Sequence, residues 1–354
     1  VVRWYQAGHR DLPWRRTRDP YAVWVSEVML QQTTVRTVEG YYPAFLERFP
    51  HVEALASAPL QDVLTAWSGL GYYRRARLMH AAAREVRDRH GGRFPTTLEG
   101  LRGLPGVGDY TAGAVASIAL DLDVPAVDGN VERVLCRLLG VGTAAGDRAT
   151  RRVVDLAAAE LAPGPDPGDL TQGLMELGAT VCTPRAPRCP ACPWQEPCAG
   201  NASGDPERFP APKARAARRE MHVGLALAWD GDRVWMARGA EDGLFGGLLG
   251  LPASPELDVT PSWTTDVVEP VARRALARAH PWLRVGPLLA ATRRTLTHRD
   301  LVLWSLAARL GRGRVVPTDW VAVDPRALRG IPLSTAMRVA VGEAVAGDRA
   351  RGRP

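Results

Sequence analysis

The chain has 354 residues, too many for one small domain, so two domains are expected. Apolar residues make up 46% of it, enough for cored domains, but no apolar run is long enough to cross a bilayer, and a signal peptide is not expected from its opening residues. The net charge is +7, yet residues 1–200 carry 22 arginines against 22 acidic residues, so bulk charge does not mark the first half as a nucleic-acid binder and local motifs must.

In chain order, W-Y-Q-A-G-H-R-D-L-P-W-R-R-T-R-D-P-Y begins as a short helix and becomes an extended segment. Asp19-Pro20 then suits a helix N-terminus, and a helix is predicted from about 21 to 38. Glu27 shares its apolar face with Val23, Trp24 and Leu30. A carboxyl held there has its pKa raised toward neutrality, which suits a general acid. The plainer reading is a surface glutamate on an amphipathic helix. Further helices are predicted at 40–48, 51–57, 60–68 and 73–90. The turn S-G-L-G-Y-Y-R-R-A-R offers Tyr72 and Tyr73 as stacking surfaces beside Arg74, Arg75 and Arg77, although packed loops share that composition.

L-P-G-V-G-D-Y-T-A then reads as helix, glycine turn, helix. Gly106 and Gly108 permit positive φ, and the turn amides at the next helix start suit a phosphate oxygen, or the turn serves helix packing alone. Asp128 precedes Gly129 and the next helix, where it is either an N-cap or a catalytic carboxylate. Helices follow near 131–140, 147–161 and 168–181, with Cys136 a core residue. Cys182, Cys189, Cys192 and Cys198 form C-x6-C-x2-C-x5-C, within reach of either zinc or an iron–sulfur cluster, and imply a reducing, cytoplasmic compartment. Residues 200–219 are rich in Pro, Gly and Arg and read as a linker. Beyond it, two strands joined at Asp230-Gly231, a helix near 266–280, strands near 287–292 and 300–308 and a helix near 333–346 give an α/β domain.

The runs H-R-D-L-P-W-R, D-P-Y-x-V-W-V-S-E-V-M-L-Q-Q-T, G-L-G-Y-Y-x-R-A-R, L-P-G-V-G-D-Y-T-A-G-A-V-A-S-I-A and P-A-V-D-G-N-V-x-R-V-L-x-R-L resemble the adenine DNA glycosylase (MutY-type) family, of the helix-hairpin-helix superfamily. The resemblance is nearly continuous over the first 200 residues. It implies an all-α helix-hairpin-helix glycosylase domain over 1–199, with a six-helix barrel part at about 21–130 and a cluster part at about 1–20 and 131–199. An α/β Nudix-like domain over 220–354 follows. It implies a 4Fe–4S cluster on the four cysteines, ordering a loop that carries Arg185 and Arg188 against phosphate.

By the same resemblance, Glu27 protonates adenine, and Asp128 opposes the positive charge of the sugar. Tyr110 and Asn130 position Asp128 and the sugar, while Arg15 and Gln172 line the adenine pocket. Gln31, Gln32, Thr33, Leu70 and Tyr72 enter or flank the duplex beside the orphan base, and Gly106 and Gly108 grip the backbone. The related lyase branch has a Schiff-base lysine where this chain has Tyr110, and the only lysine here is Lys213. A monofunctional glycosylase is therefore expected. Its partner is double-stranded DNA with adenine opposite 8-oxoguanine or guanine, bound by a monomer with no membrane association. G-L-F-G-G-L-L-G-L-P aligns with a family segment of the second domain, but no R-E-x-x-E-E run follows, so that domain is expected to bind and not hydrolyse. Leu296-Thr297-His298 stands where the family has F-S-H, placing Thr297 and His298 at the oxidised base. The alternatives are a thymine or uracil mismatch glycosylase, or a catalytically silent iron–sulfur DNA-binding protein; Glu27 and Asp128 together favour the adenine reading.

Overall fold

The computed structural model describes the chain apart from residues 214–217, 241–242, 244, 260–262, 297–298 and 353–354. The chain divides into two units, Val1–Pro59 with Arg75–Arg215, and Leu60–Arg74 with Ala216–Pro354.

The first unit is helical. Its elements are α1 (Val2–Gly8), α2 (Pro20–Leu30), α3 (Val35–Arg48) and α4 (Val52–Ser57); α5 (Leu60–Ala66) belongs to the other unit. Next come α6 (Arg74–His90), α7 (Leu98–Arg102), α8 (Asp109–Leu120), α9 (Gly129–Leu139), α10 (Arg148–Leu161), α11 (Pro167–Thr180) and α12 (Ala199–Ala202). Asp19 starts α2 by accepting from the Tyr21 and Ala22 amides, with Pro20 supplying the first helical φ. The helix expected through 38 stops at Leu30. Gln32 takes φ +59 and the Thr34 hydroxyl caps a new helix. Buried Arg75 fixes the break, donating to the Val28 and Met29 carbonyls at 2.7 and 2.9 Å and also to that of Gln31. α3 then runs on through Pro43, absorbing the separate helix expected at 40–48. α2 packs on α8, and α11 packs on both α8 and α9.

The stretch read as a linker begins packed on this unit. Gly200 lies against the Arg137 backbone, Phe209 is buried, and Ala211 bridges Ala144.

The second unit holds a mixed sheet of β1 (Arg219–Asp230), β2 (Arg233–Arg238), β3 (Leu249–Gly250), β4 (Ala253–Glu256), β5 (Leu283–Thr295), β6 (Arg299–Leu310) and β7 (Val321–Val323). The path is β3-β2-β1-β6-β5, and the central pair β1 and β6 is parallel. Period-two alternation decides which face each residue serves. Val223, Leu225 and Leu227 with Leu301 and Leu303 face α14 (Thr335–Ala350) through Met337, Ala340 and Val341. Ala226 and Ala228 with Val302, Trp304 and Leu306 face α13 (Thr265–Ala279) through Val268, Ala272 and Leu276. Strands apolar on both faces need a helix on each side, which gives the expected α/β sandwich. In the 60–74 segment of this unit, Tyr73 is buried and donates to the Leu333 carbonyl at 3.2 Å.

Candidate active site

Glu27 sits in α2 within a run of nine consecutive buried residues, 21–29, and is only 4% exposed. The Tyr110 hydroxyl, on the first turn of α8, donates to its Oε2 at 2.5 Å. Desolvation lifts the Glu27 pKa to about 7; the hydrogen bond from Tyr110 opposes the rise, negative Asp128 adds to it, and Arg15 opposes it. The Tyr110 pKa is pushed well above its ordinary value, first by burial and then by Glu27 and Asp128, so it stays a neutral donor. Its hydroxyl also lies 3.9 Å from Met175 Sδ on α11.

Asp128 is the N-cap of α9, and this does not compete with a catalytic role. Its Oδ1 accepts from the Asn130 and Val131 amides at 2.8 and 2.7 Å, and its Oδ2 from Asn130 Nδ2 at 2.8 Å. These bonds fix the carboxylate at the positive end of the helix. Asn130 is held in turn by Arg133, whose Nη2 donates to Asn130 Oδ1 at 2.9 Å and to the Gly178 carbonyl at 2.8 Å. Gly178 lets α11 approach this closely, since a Cβ there would meet Asn130 Cβ at 2.6 Å.

Arg133 Nε donates to the Cys182 carbonyl at 2.9 Å, which links the Asp128 end of α9 to the cysteine loop. Cys182, Cys189, Cys192 and Cys198 line one cavity together with Arg137. Arg137 is buried and donates to Cys182 Sγ at 3.3 Å and to the Thr183 and Pro184 carbonyls. Among the described residues no three His, Cys, Asp or Glu side chains are placed to hold a single metal ion. Four free thiols with a guanidinium N–H on one sulfur are a fitting donor set for a cluster. Cys136 is buried in α9, its thiol pushed up to about 11 by burial, and is a core residue as expected. Arg185 and Arg188 are exposed on the loop, and Arg188 donates to the Thr180 carbonyl at 2.7 Å.

Arg15 is buried and donates to Glu176 Oε2 at 2.8 Å. Gln172 is half-buried on α11, one helical turn from Glu176. Sequence reasoning misses Glu176, although its setting in L-M-E-L-G-A repeats the sign that marks Glu27, a carboxylate inside an apolar helical run. Gln31 donates to Thr111 Oγ1 at 3.1 Å, exposed Gln32 holds its left-handed backbone, and Thr33 Oγ1 accepts from Arg75 at 3.0 Å. Arg75 and Tyr73 are therefore buried anchors and not the DNA-facing surface their sequence context suggests; Tyr72 is 41% exposed and Leu70 is buried.

In the hairpin only Gly106 has positive φ, +75, where a Cβ would strike Leu78 at 2.7 Å. Gly108 is extended and caps α8, because the turn is already made at Gly106. A Cβ at Gly108 would meet nothing within 4 Å, so no packing contact demands glycine there. Thr297 and His298 lie outside the described residues.

The family described as HhH-GPD superfamily base excision DNA repair protein matches residues 25–158. Over 207 residues the chain is 48% identical to the adenine DNA glycosylase of Mus musculus, covering 56% of this chain and 40% of that protein. The chain thus spans about two fifths of the length of that relative. Over 253 residues it is 32% identical to the adenine DNA glycosylase of Buchnera aphidicola subsp. Schizaphis graminum, covering 71% of this chain and 73% of that protein. A solved thermostable thymine-DNA glycosylase superposes with TM-score 0.52 at 30% identity, over 57% of this chain and 93% of that one. With most of the Buchnera protein matched, and the hairpin, paired carboxylates and cysteine loop all on one helical unit, the chain belongs to the adenine DNA glycosylase family.

Proposed function

We propose that this protein is a monofunctional DNA glycosylase of base excision repair that releases adenine mispaired with 8-oxoguanine or guanine. The observation that carries this is Glu27, buried with a pKa of about 7 and bound to a neutral Tyr110, next to an Asp128 that its own helix holds in place. Adenine leaves poorly as an anion. The Glu27 proton moves to adenine N7, the C1′–N9 bond breaks with its electron pair passing to the base, and the sugar becomes oxocarbenium-like. Asp128 opposes that positive charge, as a carboxylate does in glycoside hydrolysis. A water oxygen then adds to C1′ and returns a proton to Glu27.

The adenine must leave the helix stack, with Arg15 and Gln172 lining its pocket. Gln31, Gln32, Thr33 and exposed Tyr72 are the contacts assigned to the duplex, and Gly106 and Gly108 the contacts to phosphate; Leu70, buried like Tyr73, is not among them. The second domain, Thr297 and His298 included, is assigned to reading the oxidised base. Cys182, Cys189, Cys192 and Cys198 would hold one 4Fe–4S cluster. When bound there, it would brace the loop, and excision itself is assigned to the carboxylates. A monomer in a reducing, cytoplasmic compartment suits these parts. No helix among the described residues is long and apolar enough to cross a membrane.

The test is single-turnover excision from duplexes carrying A, T or U opposite G or 8-oxoguanine, with and without alkali. Free adenine, with strand breaks only after alkali, is the expected result. Release of thymine or uracil alone, or binding with no base released, overturns the reading. A preparation containing zinc without iron or visible absorbance removes the cluster.

A further inference from the structure

Glu176 has no role in the chemistry above, yet it is among the least exposed charged groups of the helical unit, its side chain only 3% accessible. Two guanidiniums converge on it from the segment before α2. Arg10 binds through Nε to Oε1 at 2.8 Å and Nη2 to Oε2 at 2.6 Å, and its amide reaches Oε1 at 3.2 Å. Arg15 Nη2 reaches Oε2 at 2.8 Å, while its Nη1 donates to the Arg10 carbonyl at 3.2 Å. Arg15 is itself buried, 7% accessible, with its guanidinium over the Tyr5 ring. A buried cation with its one carboxylate partner removed is costly and projects its charge onto whatever lies near.

What lies near is Glu27. The groups facing Glu27 are Tyr110 from α8, Asp128 from the start of α9, and Arg15. Those facing Glu176 are Arg10, Arg15 and the Tyr5 phenol. Arg15 is the cation common to both sets. The neighbouring residue on α11, Met175, touches the hydroxyl that binds Glu27. We propose that Glu176 is a positioning residue for the proton-transfer step: it holds Arg15 in the pocket and neutralises it there, so that Glu27 remains a proton donor at neutral pH. Burial opposes the charge of Glu176, and the bonds from Arg10 and Arg15 nonetheless hold its pKa down to about 2, so it is an anion throughout the working range.

The inference rests on the reading of Glu27 as the acid, so its test has a readout besides activity. The Glu27 carboxyl is titrated in the intact protein by carbon-13 NMR, and the pH dependence of single-turnover excision is measured beside it. Glu176→Gln leaves Arg15 uncompensated, and the Glu27 midpoint moves to lower pH by about one unit, with excision at pH 7.5 falling about tenfold and excision at pH 5.5 largely kept. Glu176→Asp restores the charge and brings the midpoint back. Arg15→Gln moves it to higher pH, and an unmoved midpoint there overturns the proposal even if Glu176→Gln does not fold. Coincident midpoints in all three variants, or a loss of excision equal at every pH, make Glu176 a packing residue and overturn the proposal. A wild-type protein whose Glu27 titrates as described but which releases no adenine refutes the proposed function instead.

Discussion

Replacing Glu27 by glutamine should make the protein more stable above neutral pH while abolishing its activity. The folded state raises the Glu27 pKa from 4.5 to about 7, mainly by burying it. A raised folded-state pKa means that the stabilisation is complete below the unfolded value and is lost as pH rises through the folded value. At about 1.4 kcal/mol per pH unit, ionised Glu27 costs the fold on the order of 3 kcal/mol at pH 8 relative to pH 4. The amide of the Glu27→Gln variant does not ionise, so it has no such loss, and it keeps an oxygen that can accept from Tyr110. Urea unfolding of both proteins at pH 5, 6.5 and 8 should therefore show a small difference at pH 5 that grows in favour of the variant at pH 8. Single-turnover excision should fall by at least the ~10²–10⁴ ascribed to a positioned proton donor. A stability difference that is the same at pH 5 and pH 8, or near-normal excision, would refute the reasoning.

Tyr110→Phe removes the bond that opposes the rise in Glu27 pKa, so the alkaline limb of the excision profile should move to higher pH; an unmoved limb dissociates the two groups. Arg133→Met strips Asn130 Oδ1 and the Gly178 and Cys182 carbonyls of their donor. Excision should drop by about tenfold or more, with weaker iron retention read from visible absorbance, for roughly 2–4 kcal/mol of buried hydrogen bonding to a charged group. Gly106→Ala forces a side chain to φ +75 and against Leu78. It should destabilise the fold by about 1–3 kcal/mol in urea and weaken DNA binding; a neutral result would mean the hairpin relaxes freely.

Much of the architecture was legible because its signals are local. Asp19-Pro20 and Asp128 mark helix starts by their own capping bonds. The β1–β2 hairpin shows in Asp230-Gly231, where Gly231 has φ +60. What failed was decided by distant partners. Nothing in 21–38 forbids a continuous helix by local propensity, and it is Arg75, more than forty positions later, that takes up the Val28, Met29 and Gln31 carbonyls where the first helix ends. β3, β4 and β7 hold two to four residues each, too few for a period-two pattern to emerge. Tyr73 and Arg75 sit in a stretch whose composition suits DNA contact, but composition does not say which side of a turn faces inward.

The same division runs through the candidate site and explains which residue escaped notice. Glu27 and Glu176 carry one sequence signature, an acid inside an apolar helical run, and both are buried. Their chemistry is opposite because their partners are. Glu27 is given a neutral hydroxyl and a nearby carboxylate, so burial wins and the proton stays to about pH 7. Glu176 is given two guanidiniums more than 160 positions away in the chain, and burial loses. Arg15 is shared between them, so the two acids cannot be tuned separately. Strengthening the Arg15–Glu176 pair spares the Glu27 proton, and loosening it withdraws that proton. A lone acid in an apolar helix is thus a sign of function whose direction is set only once the fold delivers its partner.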